Sequence, residues 1–483
     1  MAARDIFDSS WIYFVLAGLL VLGGIYSQVE ISIPPRSVGS IEDIERLADR
    51  EDLNLVLIVI DTLRADRLSS YGYERATSPI MDSIAASGVR FDKVESQSSW
   101  TKASMASLWT SMYPERTGVH DFSHALPEEA TLPAEILKDA GFQTSGIFRN
   151  GWVMPNFGFS QGFDLYIRPL PIDRKSRVQR PNPSMRSVKG SDLDATDSAI
   201  EFIRANLDQR FFVYVHYMDV HQYLYDDDST LFGTDISDIY DNSIHWVDRN
   251  VGVLLKGIED LGLAEKTIIA IASDHGEAFM EHGVEGHARN LYREVQDVPL
   301  ILYLPFRLDP GITVESAVAN VDIWPTLLDL LGLPPMPSAE GHSLVPLIVA
   351  AGRGDESQAA ELVDRPVFSQ VNSAWGSGDR DPRQLISVVR GPYRFVHLRG
   401  SEVSQLFDHQ VDPGERVSIA KERPDLVEDF MTEVDEFLAR ENDTWEQALE
   451  VEISEMRLNQ LRALGYSMPE LKNPKKKRMT GVD

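Results

Sequence analysis

A short run of apolar residues at positions 55–60 constrains the fold of this chain more than any other feature of its sequence. The run reads Leu-Val-Leu-Ile-Val-Ile, and unbroken β-branched runs of this length are typical of strands buried on both faces of a parallel sheet. Similar runs follow at 144–148, 211–216, 267–273 and 298–304, and helical patterns lie between them at 78–87, 132–140, 198–207 and 248–261. Strands that alternate with helices predict an α/β fold with a mostly parallel sheet flanked by helices.

The character of the sequence changes after about residue 350. Residues 385–389 and 393–398 have the pattern of antiparallel strands, and a helical pattern covers 425–439. We therefore predict a catalytic domain at 53–350, followed by a small C-terminal subdomain with an antiparallel sheet at 351–440. The last segment, 441–483, is expected to hold a helix near 452–464 and a basic tail.

An apolar segment without charges occupies positions 11–26 near the N-terminus. It is somewhat short for a membrane span of about 20 residues and long for a signal-peptide core. Because no A-x-A-like cleavage site follows, we expect residues 1–29 to be a membrane anchor, with a cleaved signal segment as the alternative. Residues 30–52 are expected to be a linker. The protein would then be extracytoplasmic (periplasmic or at the cell surface), and secreted if the segment is cleaved.

Charge and cysteine content exclude several classes of function. The chain has 75 Asp and Glu residues against 46 Lys and Arg residues, a formal net charge of −29. Such a protein repels nucleic acid, and no basic stripe offsets the repulsion, so no nucleic-acid partner is expected. The chain has no cysteine, which excludes disulfide bonds, thiolate metal ligands and a cysteine nucleophile.

Acids, imidazoles and amides follow the predicted strands, at the points where the strands end. They are Asp61 after the first run, Asn150 after the second, Asp219 and His221 after the third, and Asp274 and His275 after the fourth. Any one of them could be a helix cap. Because ligands bind at the carboxyl ends of strands in open α/β sheets, the repeated pattern favours a shared site. Oxygen and nitrogen donors without sulfur suit Mn²⁺, Zn²⁺, Mg²⁺ or Ca²⁺.

A second cluster lies at residues 100–110, where Thr101 precedes a run with helical spacing. One interpretation makes Thr101 a plain N-cap. The other places its hydroxyl on a metal ion, where it can attack a phosphorus or sulfur ester, with the helix N-terminus holding the anionic oxygens. Taken alone, the segment favours the cap.

Several motifs in this chain occur in the order and spacing of a known family. They are Asp61-Thr-Leu-Arg-Ala-Asp66, the run from Thr101 to Thr110, Ser273-Asp-His-Gly-Glu277, Gly286-His287, Val321-Asp-Ile-Trp-Pro-Thr326, Gly341-His-Ser-Leu344, Gln405-Leu-Phe-Asp408 and Asp412-Pro-Gly-Glu-Arg416. Together they resemble the sulfatase-type branch of the alkaline phosphatase superfamily, over roughly residues 53–465. The resemblance implies an alkaline-phosphatase-like sheet and a divalent metal centre.

The resemblance assigns roles to individual positions. It implies that Asp61, Asp274 and His275 are metal ligands and that Thr101 is the nucleophile, also on the metal. His221 matches a substrate-contacting histidine, and His287 stands where sulfatases usually carry a lysine that holds the transferred group. Three weaker candidates for a second metal or for the substrate are Asp219, His282 and Asn150.

Some positions depart from the pattern of the sulfatases proper. Thr62 stands in place of a second aspartate, and Met105 in place of the arginine that braces formylglycine. Threonine at 101 cannot be oxidised to that aldehyde, and His275 favours Mn²⁺ or Zn²⁺ over Ca²⁺ or Mg²⁺. At these positions the chain resembles the threonine-nucleophile relatives of the sulfatases, which act on phosphate esters.

The sequence therefore predicts a metal-dependent hydrolase or transferase that cleaves an anionic phosphate (or sulfate) ester through a covalent Thr101 intermediate. One alternative is a true sulfuric ester hydrolase that works without formylglycine. Another is a non-catalytic, surface-anchored binding protein on the same fold. The expected partners are the anionic ester substrate and, through the N-terminal segment, a membrane.

Overall fold

In the computed structural model, an eight-stranded sheet forms the centre of the protein. Its strands are β1 (Asn54–Ile60), β2 (Val89–Glu95), β3 (Gln143–Ile147), β4 (Leu165–Ile167), β5 (Phe211–Tyr217), β6 (Thr267–Ala272), β7 (Leu300–Tyr303) and β8 (Ile312–Ala319). Their order across the sheet is β8-β2-β7-β6-β1-β5-β3-β4. Of these strands β7 alone runs antiparallel to its neighbours, so the predicted mostly parallel α/β sheet is confirmed.

The three central strands position the strand ends on which the site depends. Every residue of β1, β5 and β6 is buried, as their β-branched and aromatic composition predicts for strands covered on both faces. The register pairs Val59 of β1 with His216 of β5 and with Ala272 of β6. The carboxyl ends of β1 and β6 therefore finish level, which brings Asp61 and Asp274 side by side.

Three strands of the sheet have no counterpart among the predicted ones, namely β2, β8 and the three-residue edge strand β4. β2 and β8 contain polar residues between apolar ones, and the burial of their side chains varies along the strand. A search for unbroken apolar runs misses such strands, because only part of each strand is covered by the rest of the protein.

The described residues form eleven α-helices in the main unit. They are α1 (Ile41–Glu45), α2 (Pro79–Ser87), α3 (Thr101–Thr110), α4 (Pro114–Thr117), α5 (Pro133–Asp139), α6 (Asp192–Ala205), α7 (Ile236–Asp260), α8 (Arg293–Gln296), α9 (Ile323–Leu330), α10 (Val345–Gly352) and α11 (Pro424–Ala439). Helix α7 begins well before the predicted residue 248. A capping box formed by Asp235 and Asp238 starts it, and Tyr240, Ile244 and Val247 continue its buried face.

The predicted C-terminal antiparallel sheet is confirmed. Its strands are β9 (Val367–Asn372), β10 (Gln384–Arg390), β11 (Tyr393–Leu398) and β12 (Ser404–Asp408), which pair in that order. Phe430, Val434 and Phe437 of α11 join the buried cluster that contains Phe395 and Leu406 of this sheet. The exact domain boundaries at 350 and 440 stay predictions.

The structure describes residues 36–169, 171, 178–179, 190–372, 384–440, 445 and 448–452. Residues Arg36–Asp483 make up one unit and Met1–Pro35 another. The predicted anchor (1–29), most of the predicted helix at 452–464 and the basic tail lie outside the described residues. In the part of the chain that is described, no helix has both the length and the apolar character to cross a membrane.

Candidate active site

Three residues at the ends of β1 and β6 form a buried cluster with the chemistry of a metal centre. One ligand atom from each of Asp61, Asp274 and His275 lies within 4.8 Å of the others. All three side chains are completely buried. Among the described residues this is the only group of three or more acids and imidazoles with such spacing. The structure thus brings together the three ligands that the resemblance implies.

Backbone groups orient the second carboxylate and the imidazole. The N–H groups of Thr62 and His275 donate to Oδ1 of Asp274 at 3.2 and 3.0 Å. Nδ1 of His275 lies 2.9 Å from the carbonyl oxygen of Gly276, which can only accept, so Nδ1 carries the proton. Nε2 of His275 therefore presents its lone pair to the cluster, 3.4 Å from Oδ2 of Asp274.

Thr62, which replaces the second aspartate of the sulfatase pattern, has a structural role here. Its backbone is left-handed, with φ of 63°, a rare conformation for a β-branched residue. This conformation allows its N–H to reach Asp274, while its hydroxyl donates to the carbonyl oxygen of Asp61 at 2.6 Å. Backbone strain of this kind concentrates at functional sites.

Asp61 is held through one oxygen only. Its Oδ2 accepts a hydrogen bond from Nδ2 of Asn150 at 2.5 Å and lies 3.3 Å from Nε2 of His216. Oδ1 of Asn150 accepts from the N–H of Trp152 at 2.8 Å, which fixes the orientation of the amide. Asn150, predicted as a second-metal or substrate residue, thus contacts the metal-ligand candidate itself. His216 was not singled out from the sequence, although it stands one residue before the end of a central strand.

The cluster fits a divalent cation. Within the described part of the chain, Oδ1 of Asp61 and Oδ2 of Asp274 are buried without a hydrogen-bond partner. Burial, and then the neighbouring charge of Asp61, raise the pKa of Asp274. Burial would also raise the pKa of Asp61, but His221 and His216 outweigh it and lower that pKa well below its usual range. Two carboxylates and one imidazole, without sulfur, suit Mn²⁺ or Zn²⁺, whose charge would offset the repulsion.

Thr101 lies beside this cluster, at the start of α3. Its Oγ1 is 3.1 Å from Nε2 of His275, and its side chain is buried. The helix cap position belongs to Trp100, whose side chain makes no capping hydrogen bond. The interpretation of Thr101 as a plain N-cap is therefore wrong, because Thr101 is already the first helical residue.

Two further histidines lie close to His275. The ring of His287 lies 4.5 Å from the ring of His275 and 5.1 Å from the ring of His221, measured between centroids. Glu277, which was not predicted, places its Oε2 3.2 Å from Nδ1 of His287. Burial lowers the pKa of His221 to about 4. Burial also acts to lower the pKa of His287, but the charge of Glu277 outweighs it and raises that pKa.

Asp219, a weaker candidate for a second metal, is used in a different buried network. Its carboxylate pairs with the guanidinium of Arg149 and accepts from the N–H of Asp192 at 2.7 Å and from Nε1 of Trp246 at 2.8 Å. These donors satisfy both carboxylate oxygens. The second-metal role of Asp219 stays a prediction, and its contacts give that role no support.

His282, the other weak candidate, also has both ring nitrogens engaged. Nδ1 lies 2.8 Å from Oε1 of Glu294, and Nε2 lies 2.9 Å from the carbonyl oxygen of Glu415. The ring stacks on Tyr292 with centroids 3.8 Å apart. These contacts favour a packing role between the main sheet and the C-terminal subdomain over metal binding.

The fold and the buried cluster define an α/β protein with a candidate divalent-metal site at the carboxyl edge of its sheet. The family model described as Sulfatase matches residues 53–333, more than half of the chain, and the chain belongs to the sulfatase family. A second model, described as N-sulphoglucosamine sulphohydrolase, C-terminal, matches residues 281–440. The protein is thus an ester hydrolase of the sulfatase type, and the alternative of a non-catalytic binding protein loses its support.

Several known proteins are similar to this chain. Arylsulfatase K of Mus musculus is 22% identical over 84% of this chain and 82% of its own length. Arylsulfatase A of Homo sapiens is 26% identical over 76% of this chain and 83% of its own length. The solved structure of a 2-O GAG sulfatase aligns with a TM-score of 0.67 at 18% identity, covering 81% of this chain and 93% of that one. At this identity the structural likeness shows the shared fold.

Proposed function

We propose that this protein hydrolyses an anionic phosphate or sulfate ester, with the hydroxyl of Thr101 as the attacking group. The single observation that carries the proposal is the distance of 3.1 Å between Oγ1 of Thr101 and Nε2 of His275, inside the cluster of Asp61, Asp274 and His275. A hydroxyl held this close to a cation site at the start of a helix is placed to attack an anionic ester.

Different residues of the chain would bind the cation, bind the anionic oxygens and transfer protons. Asp61, Asp274 and His275 would hold the cation, which when bound supplies charge neutralisation and polarisation of the ester. The first turn of α3 offers backbone N–H groups to the anionic oxygens. His287, held by Glu277, is placed to donate a proton to the leaving oxygen, and His221 offers a neutral imidazole as acceptor for the threonine proton.

The reaction then proceeds in two displacements. In the first, Oγ1 of Thr101 bonds to the phosphorus or sulfur while the bond to the leaving alcohol breaks, and that alcohol takes a proton. In the second, water attacks the same central atom and releases Thr101. Threonine has one hydroxyl, so the covalent ester cannot collapse by expelling the inorganic anion from a geminal diol.

Between the two esters, the residues at Thr101 favour phosphorus. Met105 is completely buried in the apolar core, so no arginine stands one turn after Thr101 to brace a formylglycine. The chain is instead similar at these positions to threonine-nucleophile relatives that act on phosphate esters. A transfer of the phosphoryl group to an alcohol in place of water would use the same residues.

A sulfate ester is the second candidate substrate, because known proteins similar to this chain are named as sulfatases. A panel of aryl phosphate monoesters, phosphodiesters and aryl sulfates, assayed with Mn²⁺ or Zn²⁺, separates the two. We expect faster turnover of a phosphate ester. A clear preference for aryl sulfate would refute the phosphorus assignment and leave the role of Thr101 intact, whereas no turnover of any ester would refute the proposed function.

We also propose that the chain is tethered to a membrane and acts outside the cytoplasm. The support is the uncharged segment at 11–26, followed by the polar stretch before the catalytic body. Membrane fractionation of the full chain and of a chain starting at residue 30 tests this proposal. We expect the full chain in the membrane fraction and the shortened one in the soluble fraction, and a full chain found only in the soluble fraction contradicts it.

A further inference from the structure

We propose that His216 is a positioning residue for the metal ligand Asp61, and that Tyr214 holds His216 in the orientation this requires. The inference rests on the metal centre of the proposed function and extends it beyond the three coordinating residues. The affinity for the cation would then depend on Tyr214 and His216, two side chains of a central strand of the sheet.

Tyr214 and His216 stand two residues apart on β5, so their side chains lie on the same face of the sheet. The hydroxyl of Tyr214 lies 2.8 Å from Nδ1 of His216, and Nε2 of His216 lies 3.3 Å from Oδ2 of Asp61. All three side chains are completely buried. The three groups form a continuous polar line through an otherwise apolar part of the sheet.

The direction of the protons along this line follows from what each group can donate. A carboxylate that coordinates a cation is ionised, so the carboxylate of Asp61 only accepts hydrogen bonds. Nε2 of His216 must therefore carry the proton that points to Oδ2. In the neutral imidazole Nδ1 is then the acceptor, and the hydroxyl of Tyr214 donates to it. The tyrosine thus selects the tautomer that serves Asp61.

The effect on Asp61 is to separate the functions of its two oxygens. Oδ2 faces two donors, Nδ2 of Asn150 at 2.5 Å and Nε2 of His216 at 3.3 Å. Oδ1 has no hydrogen-bond partner among the described residues. Because Asn150 and His216 belong to different strand ends, they fix the plane of the carboxylate from two directions. Oδ1 is left without a hydrogen bond from the described residues, as a coordinating oxygen needs to be.

A histidine buried only for packing would not require this geometry. Among the described residues Nε2 of His216 is buried without an aligned hydrogen bond, and it lies 3.3 Å from Oδ2 of Asp61 at ion-pair distance. An apolar side chain in its place would remove the polar N–H group that lies beside this buried carboxylate and leave Asn150 alone next to it. Asp61 could then rotate, and its charge would be less well balanced. Partners of metal ligands commonly change metal affinity by about 10- to 100-fold.

The experiment measures Mn²⁺ binding to the purified protein by calorimetry, together with the thermal unfolding of the metal-free form. Three variants of the polar line are compared with the wild type: His216→Leu, His216→Gln and Tyr214→Phe. His397→Leu is the matched control, since His397 is a buried histidine of β11 that bonds to Ser404 in the C-terminal sheet. The binding readout does not depend on turnover of any substrate.

We expect His216→Leu to weaken Mn²⁺ binding by about 10- to 100-fold, with little change in the unfolding temperature of the metal-free protein. His216→Gln, which keeps an N–H donor, should recover most of the affinity, and Tyr214→Phe should show a smaller loss. His397→Leu should bind as the wild type does. If His216→Leu does not fold, Tyr214→Phe decides: weaker binding supports the inference, and unchanged binding overturns it.

The outcomes also separate this inference from the proposed function. Wild-type affinity in His216→Leu overturns the positioning role while leaving the metal centre in place. A wild-type protein that binds Mn²⁺ but cleaves no ester contradicts the proposed function and leaves the positioning role to be judged from the variants. A wild-type protein that binds no divalent cation overturns both.

Discussion

The hydroxyl of Thr101 lies 3.1 Å from Nε2 of His275, although 174 positions of the chain separate the two residues. The contact joins the first residue of α3 to the loop after β6. Both residues are fully buried, so the hydroxyl cannot move away from the cluster without a change in the packing around it. The chemistry proposed for this site depends on that placement.

Replacing Thr101 with valine removes the hydroxyl and keeps the shape of the side chain. We expect turnover to fall by at least about 10³-fold, because the attacking group is lost, while the fold and the metal content remain. Thr101→Ser, which retains a hydroxyl, should keep measurable activity. Steady-state kinetics and metal analysis check both variants, and near-wild-type turnover in Thr101→Val would contradict the role of this residue.

Asp274→Asn and Asp219→Asn form a matched pair that separates metal binding from stability. Changing a residue that only contacts a metal ligand typically lowers metal affinity by about 10- to 100-fold. Asp274→Asn should weaken Mn²⁺ or Zn²⁺ binding by more than this, because Asp274 is itself a proposed ligand. Asp219→Asn should bind the metal normally but lower the free energy of unfolding by roughly 3–5 kcal/mol, since it leaves Arg149 without one of its buried partners. Loss of metal in Asp219→Asn would instead revive the prediction of a second metal ligand.

Glu277→Gln tests the partner of His287. The amide keeps the size of the side chain but no longer carries the charge that favours a protonated His287. We expect kcat to fall by roughly 100-fold with little change in metal affinity, because proton donation to the leaving oxygen is impaired. Glu285→Gln, at an exposed position of the same loop region, is the control and should have wild-type kcat. Equal kcat values in the two variants would show that Glu277 has no part in the reaction.

Glu415 lies at the junction with the C-terminal subdomain, and its ion pair makes the free energy of unfolding depend on pH. Its carboxylate accepts from Nε of Arg394 at 2.6 Å and from the N–H of Arg293 at 2.9 Å. Burial alone would raise the pKa of Glu415, but Arg394 and then His409 lower it from 4.5 to about 2.

Because the folded-state pKa of Glu415 is depressed, its contribution is complete above the unfolded pKa and is lost as the pH falls from about 4.5 toward 2. Glu415→Gln should therefore lower the free energy of unfolding by roughly 3 kcal/mol at pH 7, and the difference from wild type should shrink on acidification. Denaturant unfolding between pH 7 and pH 3 measures it. A difference that stays constant over this range would mean that the ion pair is not its source.

The sequence predicted the class of fold and the location of the site because both depend on local patterns. Unbroken β-branched runs indicated the central strands, and the polar residues that follow them indicated the edge where ligands collect. Asp61, Asp274 and His275 were among the residues found in this way, the resemblance to the sulfatase family singled them out as ligands, and they do lie together. The half-covered strands β2 and β8 were missed, since their alternating polar residues break the apolar pattern.

The detailed partners within the site could not be predicted from the same patterns. Asp219 and Asp61 both follow a buried strand, yet one pairs with Arg149 and the other contributes to the cluster. His282 and His287 are five positions apart, and only His287 faces His275. The partner of each polar side chain depends on the path of the loops over the sheet. Local sequence patterns do not predict that path.

The amino-acid sequence by itself determined that a parallel α/β sheet would carry acids, imidazoles and amides at one edge, because strand burial and side-chain chemistry are properties of short segments. The tertiary structure decided that Thr101 is a helical residue beside His275 and not a helix cap. It also decided that His216 and Glu277 support the site. These contacts join segments far apart in the chain, and only the packing of the folded sheet brings such segments within hydrogen-bonding distance.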